Sequence, residues 1–244
     1  MKGIILAGGL GTRLFPLTKI TNKHLLPLYD RPMIFFPIAK LVQSGIKEVI
    51  IVTGGNNAGD FIRLLGDGSQ FGLKQLHFIY QPQEGGIAQA IGLCRNYAEG
   101  DKVLVMLGDN LVEDDLGATV REFGKKGSGA GIFLKRVGNP REYGVAELVD
   151  KRIKRIIEKP KLPPSNYAVT GIYLYDNTVF DIVGTLKPSK RNELEISDVN
   201  NIYLQKGQLS YWTLKRGWAD AGESIEAYNK AVDFARQMVT KKLV

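Results

Sequence analysis

Thiol chemistry is almost absent from this 244-residue sequence: Cys94 is its only cysteine, so no intrachain disulfide can form. That suits a reducing compartment, and a cytoplasmic location is expected. Histidine is nearly as scarce, with His24 and His77 far apart, which leaves too few soft ligands for a zinc site. Any metal is expected to be a hard cation held by carboxylates. No apolar run approaches the roughly 18 residues a membrane span requires. The short stretch after Lys2 runs into glycines and does not read as a signal peptide. Linkers, repeats and low-complexity segments are missing too, so one domain over 1–244 is expected. It divides into two halves, about 1–125 and about 126–244, the second ending in the C-terminal helix.

What is present is ordinary for a globular chain, with 44% hydrophobic and 24% charged residues. The net charge is +8, but the basic residues are scattered. Short clusters at Lys151 to Arg155 and Lys241-Lys242 read as solvated faces, without the aromatic interleaving of a nucleic-acid surface. Small phosphorylated partners suit this charge better, with neither nucleic acid nor membrane expected.

Apolar and helical segments alternate through the first half. Lys2 to Ala7, Lys47 to Thr53, Lys74 to Tyr80 and Val103 to Leu107 read as strands. Between them, helices are expected from Pro32 to Ser44, Asn57 to Leu65 and Ile87 to Ala98. The fold class is therefore α/β, with a mainly parallel mixed sheet flanked by helices. The second half is richer in strands: Gly129 to Val137, Tyr143 to Val149, Ile153 to Glu158, Tyr167 to Tyr175 and Gln208 to Lys215. A helix is expected over Glu195 to Lys206, and another from about Glu223.

Chemistry concentrates after the first strand, in Gly8-Gly9-Leu10-Gly11-Thr12-Arg13. Glycines let a backbone approach a ligand with its N–H groups free, and Arg13 adds a planar cation suited to phosphate. A phosphate cradle is preferred here over a plain tight turn. Leu14 stands where a dinucleotide fingerprint wants its third glycine, and Gly-Lys-Ser/Thr is missing. Asp109 follows the Val103 to Leu107 strand, where a carboxylate can hold a cation against phosphate, though Asp-Asn is also turn chemistry. Asp220 precedes the last helix and could equally be its N-cap. Lys23 could neutralise a phosphate or face water. Glu158-Lys159-Pro160 ends a strand, and Gln81 before Gly85-Gly86 offers an amide to a base edge.

Longer stretches carry a resemblance. KGIILAGGLGTRLFPLT at 2–18, NKHLLPLYDRPMI at 22–34 and GDGSQFGL at 66–73 are similar to the sugar-phosphate nucleotidyltransferases. LGDN at 107–110 and EKP at 158–160 add to this. GIAQAIG at 86–92, SNYAVTGIYLYD at 165–176 and LKPSKRNELEISDVNNIYL at 186–204 resemble the thymidylyl branch in particular. The resemblance implies a Rossmann-like core with an added β-rich sugar-binding part, and a Mg²⁺-dependent reaction. In it, the oxygen of a sugar 1-phosphate attacks the α-phosphorus of a nucleoside triphosphate and pyrophosphate leaves. The substrates implied are dTTP and glucose 1-phosphate, giving dTDP-glucose for dTDP-rhamnose-type biosynthesis. UTP, another sugar phosphate, or a non-catalytic nucleotide-sugar sensor are the alternatives.

By the same resemblance Leu6, Gly8, Gly9, Gly11, Thr12, Gln81, Gly86 and Asp109 bind nucleotide, Gln81 and Gly86 reading the base. Arg13 holds the leaving pyrophosphate, Lys23 the reacting phosphate, and Asp109 with Asp220 the Mg²⁺. Asn110, Tyr143, Gly144, Glu158, Lys159, Val169 and Arg191 take the sugar phosphate. A homo-oligomer, dimer or tetramer, is implied. Three departures from the family pattern stand out. Asn192 replaces a usual glycine, and Ala219-Asp220-Ala221-Gly222-Glu223 replaces the commoner Leu-Asp-Thr-Gly-Thr. The chain also stops at Val244, where longer members run on into a C-terminal extension, so the short form is expected.

Overall fold

The computed structural model describes residues 1–98 and 100–243. Its first half runs β1 (Lys2–Ala7), β2 (Pro27–Leu28), β3 (Arg31–Pro32), α1 (Phe35–Gln43), β4 (Glu48–Gly54), α2 (Ala58–Leu65) and β5 (Gln75–Gln81). It continues with α3 (Ile87–Gly92), α4 (Arg95–Ala98), β6 (Val103–Leu107), β7 (Asn110–Val112) and α5 (Gly117–Lys125). The second half has β8 (Ala130–Arg136), β9 (Gly144–Val149), β10 (Arg152–Glu158), β11 (Tyr167–Tyr175), α6 (Val179–Thr185) and α7 (Ile196–Gln205). β12 (Leu209–Thr213), β13 (Trp218–Asp220) and α8 (Ile225–Thr240) close it.

A nine-stranded sheet in the order β10-β9-β11-β6-β1-β4-β5 forms the middle, with β8 pairing β11 and β12. β1, β4, β5 and β6 are parallel, as continuous apolar runs joined by crossovers must be. β11 joins β6 antiparallel and so grafts the strand-rich half onto the same sheet. Side chains alternate across β1. Ile4 and Leu6 face one core with α3, α4, α6 and α7, while Ile5 and Ala7 face the other with α1, α2 and α5. A third cluster packs α8, through Tyr228, Ala231, Ala235 and Met238, onto Leu14, Leu26, Leu28, Met33 and Phe36.

β1 lies between β4 and β6, so the chain order of the sheet reverses there and leaves a crevice at the carboxyl ends of the strands. The glycine loop opens into this crevice. The expected helix over Pro32 to Ser44 begins only at Phe35. Pro32 pairs with Pro27 instead, because the Met33 and Ile34 N–H groups donate to Leu26 and His24 carbonyls. The expected helix over Ile87 to Ala98 is two short ones. Gly92 weakens its middle, and Cys94 closes a tighter turn by donating to Ile91 O at 2.9 Å.

Candidate functional site

Two clefts adjoin over the carboxyl ends of β1 and β6 and the neighbouring amino-terminal part of the antiparallel β11. The first, of about 280 Å³, is lined by Leu6, Gly8, Gly9, Lys23, Gln81, Gly86 and Asp109 among others. The second, of about 240 Å³, is lined by Tyr143, Gly144, Glu158, Lys159, Val169 and Arg191, with Trp218 and Glu223. Arg13, Ile87, Leu107, Glu193 and Asp220 belong to both walls and mark the seam.

The structure thus gathers most of the expected residues around one crevice. Gly11, Thr12 and Asn110 line neither cleft. Gly11 supplies the left-handed turn (φ 69°) that starts the short helix over Thr12–Leu14, and this aims Arg13 inward. Asn110 is buried beneath the floor. Its Oδ1 accepts from Gly171 N (3.0 Å) and Trp218 Nε1 (2.8 Å), and its Nδ2 donates to Asp109 Oδ1 (3.1 Å).

Asp109 and Asp220 meet because β7 pairs with β13. Asp220 stands opposite Asn110, and Ala221 N donates to the Asp109 carbonyl at 2.9 Å. The cap of α8 is Ser224, whose hydroxyl accepts from Ala227 N. That leaves Asp220 free of the capping role. Lys23 is buried, and its Nζ donates to Asp109 Oδ2 at 2.5 Å. Burial alone would lift the Asp109 carboxyl, but the Lys23 ammonium and the Asn110 amide hold it well below the usual carboxylate range. Asp220 moves upward instead, first through burial and then through the Asp109 charge beside it. Two carboxylates that repel across one cleft wall are relieved by a shared dication, and hard oxygens are the ligands Mg²⁺ takes. The pair fits a divalent metal on that ground, although no group of three or more ligating side chains occurs among the described residues.

In the second cleft, Arg191 donates to Glu195 (2.7 Å) and Glu193 (3.2 Å) and lies 3.6 Å from Glu158. Glu158 Oε2 accepts from Ser197 Oγ at 2.6 Å, and burial, with Glu195 nearby, raises its carboxyl. Lys159 and Arg191, with Arg13 at the seam, are cations that line this cleft and suit a phosphate. Asn192 follows Arg191 at φ 60°, a left-handed conformation that asparagine tolerates almost as glycine does.

The altered Ala-Asp-Ala-Gly-Glu segment is accommodated without hydroxyls. Gly222 N donates to Asp220 Oδ1 at 2.9 Å, and Glu223 accepts from the Tyr143 hydroxyl. Burial and that bond keep the Tyr143 phenol protonated. Trp218 and Glu223 escaped the sequence reading. Their one signal was closeness to Asp220 in the chain. His24 lies beside Lys23, and burial, reinforced by that ammonium, pushes its imidazole down to about 3.

The nucleotidyl transferase family profile matches residues 2–237. A glucose-1-phosphate thymidylyltransferase of Mycolicibacterium smegmatis is 46% identical over 97% of this chain and 82% of its own. One from Neisseria meningitidis is 42% identical over 97% and 83%. Among solved structures, a Bacillus anthracis chain assigned to glucose-1-phosphate thymidylyltransferase, in complex with a sucrose, superposes with a TM-score of 0.92. It is 47% identical, over 97% of this chain and 95% of that one. A UDP-glucose pyrophosphorylase complexed with UDP-glucose gives a TM-score of 0.84 at 25% identity, covering 97% and 98%.

Proposed function

The chain belongs to the nucleotidyl transferase family, among its glucose-1-phosphate thymidylyltransferases, and from that premise we propose that it joins dTTP to glucose 1-phosphate in a Mg²⁺-dependent reaction. The observation that carries the reading is the seam. Two clefts share Arg13 and Asp220, so the reacting ends of two ligands can meet where one cation and one carboxylate serve both.

The nucleotide cleft takes the triphosphate over Gly8 and Gly9, with the base against Gln81 and Gly86. The sugar cleft takes glucose 1-phosphate, its hydroxyls accepted by Glu158 and its phosphate held by Lys159 and Arg191. Arg191 exchanges part of its carboxylate pairing for that phosphate. A phosphate oxygen of the sugar then attacks the α-phosphorus in line, and pyrophosphate leaves toward Arg13. Lys23 neutralises charge at the reacting centre, and Asp109 keeps that lysine in place. Mg²⁺ held by Asp109 and Asp220 would supply further neutralisation of the phosphate oxygens. No covalent enzyme intermediate is needed, so the rate comes from positioning and charge stabilisation.

The product, dTDP-glucose, would enter dTDP-sugar synthesis of the dTDP-rhamnose type. A homo-oligomer acting in the cytoplasm on small molecules alone completes the proposal, supported by the family and by the single cysteine. The test is pyrophosphate release with Mg²⁺, glucose 1-phosphate and each nucleoside triphosphate in turn. Release is expected to be fastest with dTTP. No release with any pair would sink the transferase reading, and faster release with UTP would reassign only the base.

A further inference from the structure

An amide's oxygen and nitrogen are told apart by their partners, and two facing amides next to the nucleotide cleft have partners that decide the matter. The backbone N–H of Gly85 can only donate. It lies 3.2 Å from one amide atom of Gln89, which must therefore be the carbonyl oxygen Oε1. That oxygen lies 2.7 Å from an amide atom of Gln81, which must then be its NH₂ group, Nε2. The Gln81 oxygen is turned the other way, over Gly8, where a Cβ would come within 2.4 Å of it. A Cβ on Gly85 would likewise come within 2.4 Å of the Gln89 amide. Two bare glycines thus allow the lock, and one backbone donor sets its polarity. Gln81 is buried against the cleft wall, while Gln89, on α3, stands behind it and lines neither cleft.

We infer that Gln89 is a positioning residue for base selection: by fixing the Gln81 amide in one orientation, it makes the cleft accept a pyrimidine with an N3–H beside a C4 carbonyl. A pyrimidine with a bare N3 beside a C4 amino group is turned away. One hydrogen of the Gln81 NH₂ is spent on Gln89, so Gln81 offers a ligand one acceptor and one donor in a fixed order. For a base held in one place, the order that pairs N3–H and O4 of thymine is the reverse of the one that pairs N3 and the amino group of cytosine. An unrestrained glutamine would rotate its amide by half a turn and serve either base. The locked one cannot do so without breaking its bond to Gln89 and setting its own carbonyl oxygen against that of Gln89. Uracil and thymine share this edge, so the lock does not separate them.

This inference rests on the proposal that Gln81 faces the base, and binding without turnover tests the two separately. The full chain and its Q89M, Q89L and Q89E variants are titrated calorimetrically with dTTP, UTP and dCTP, without sugar phosphate, after thermal melts establish which variants are folded. Wild type is expected to favour dTTP over dCTP by at least ~10-fold, a floor well below what a site built for one hydrogen-bond pattern can achieve. Whichever of Q89M and Q89L folds is expected to narrow that preference by roughly tenfold and leave dTTP against UTP unchanged. Q89E, whose carboxylate oxygen still accepts from both Gly85 and Gln81, is expected to keep the preference even if all three nucleotides bind more weakly. A merely structural role would weaken every nucleotide alike. Equal binding of dTTP and dCTP by wild type, an unchanged ratio in the apolar variant, or loss of the ratio in Q89E would each overturn the inference. Absence of pyrophosphate release from wild type would instead sink the transfer reaction and leave the binding ratios to judge Gln89.

Discussion

At the scale of single residues, the site depends on how little room surrounds the Lys23–Asp109 pair. A Cβ built on Gly222 would come within 2.3 Å of Asp109 Oδ2 and 2.6 Å of Lys23 Nζ. Nothing in its backbone requires glycine; the close approach does. Gly222→Ala is therefore expected to push the carboxylate and ammonium apart and to lower turnover by ~10²-fold or more, the scale of losing one charge-stabilising group. Because both partners of the displaced ion pair are buried, the melting temperature is expected to fall as well. Steady-state rates and a thermal melt on the same sample check this. Near-normal turnover would mean that the pair needs no fixed geometry. Sequence alone offered both Asp109 and Lys23 as candidates. It could not show that they touch, because 86 residues separate them and only the loop after β1 brings Lys23 under β6.

At the scale of elements, the three-residue strand β13 carries Asp220 and is held by its ladder to β7 and by packing against α8. Just beyond β7, Asp114 accepts from Lys215 N (3.0 Å) and Arg216 N (2.8 Å), and Glu113 accepts from Gly217 N (2.9 Å). The buried Lys40 ammonium anchors this corner by donating to the Asp114 carbonyl at 3.1 Å. Asp114→Ala is expected to cost about 0.5–1.5 kcal/mol of stability, as for exposed backbone donors that exchange an acceptor for water. It should also raise the Mg²⁺ concentration for half-maximal turnover severalfold, since Asp220 loses its register against Asn110. An unchanged Mg²⁺ requirement would show that the β7–β13 ladder alone sets that register. The same strands mark where sequence reading stops. β1, β4, β6 and β11 were readable because long apolar runs state their own burial. β7 and β13 were not, since three residues carry no periodicity and their partners lie far apart, 108 residues between Asn110 and Trp218. α5 and α6 also went unread. Both are short, include glycine and β-branched residues, and are held by packing of Val120, Phe123, Phe180 and Val183 rather than by propensity. The glycine loop announces itself locally, Asp109 and Asp220 are local candidates that read equally well as a turn and a helix cap, and nothing local singles out Gln89.

At the scale of the molecule, α8 ties the end of the chain to the loop after β1, with Tyr228 donating to Pro27 O at 2.6 Å. Global unfolding therefore opens both clefts, and the shifted groups inside them become terms in the stability of the whole fold. His24 is buried neutral, with its folded value depressed from 6.5 to about 3. Its contribution is fully present above pH 6.5 and is lost as pH falls toward 3, at about 1.4 kcal/mol per pH unit. Asp220 and Glu158 are raised, so theirs is present below their unfolded values of 3.8 and 4.5 and is lost as pH rises through the folded ones. The two trends oppose each other in mildly acidic solution and flatten the wild-type profile. Asp109, depressed, acts only below 3.8 and leaves this window alone. His24→Gln removes one trend and keeps the other, whatever constant cost the substitution brings. The stability difference between wild type and variant should therefore shift in the variant's favour by roughly 2.3 kcal/mol between pH 6.5 and 4.5. Urea unfolding of both proteins at pH 6.5, 5.5 and 4.5 measures it. Parallel profiles would mean that the folded chain protonates His24 without penalty, and that its burial against Lys23 is not maintained in solution.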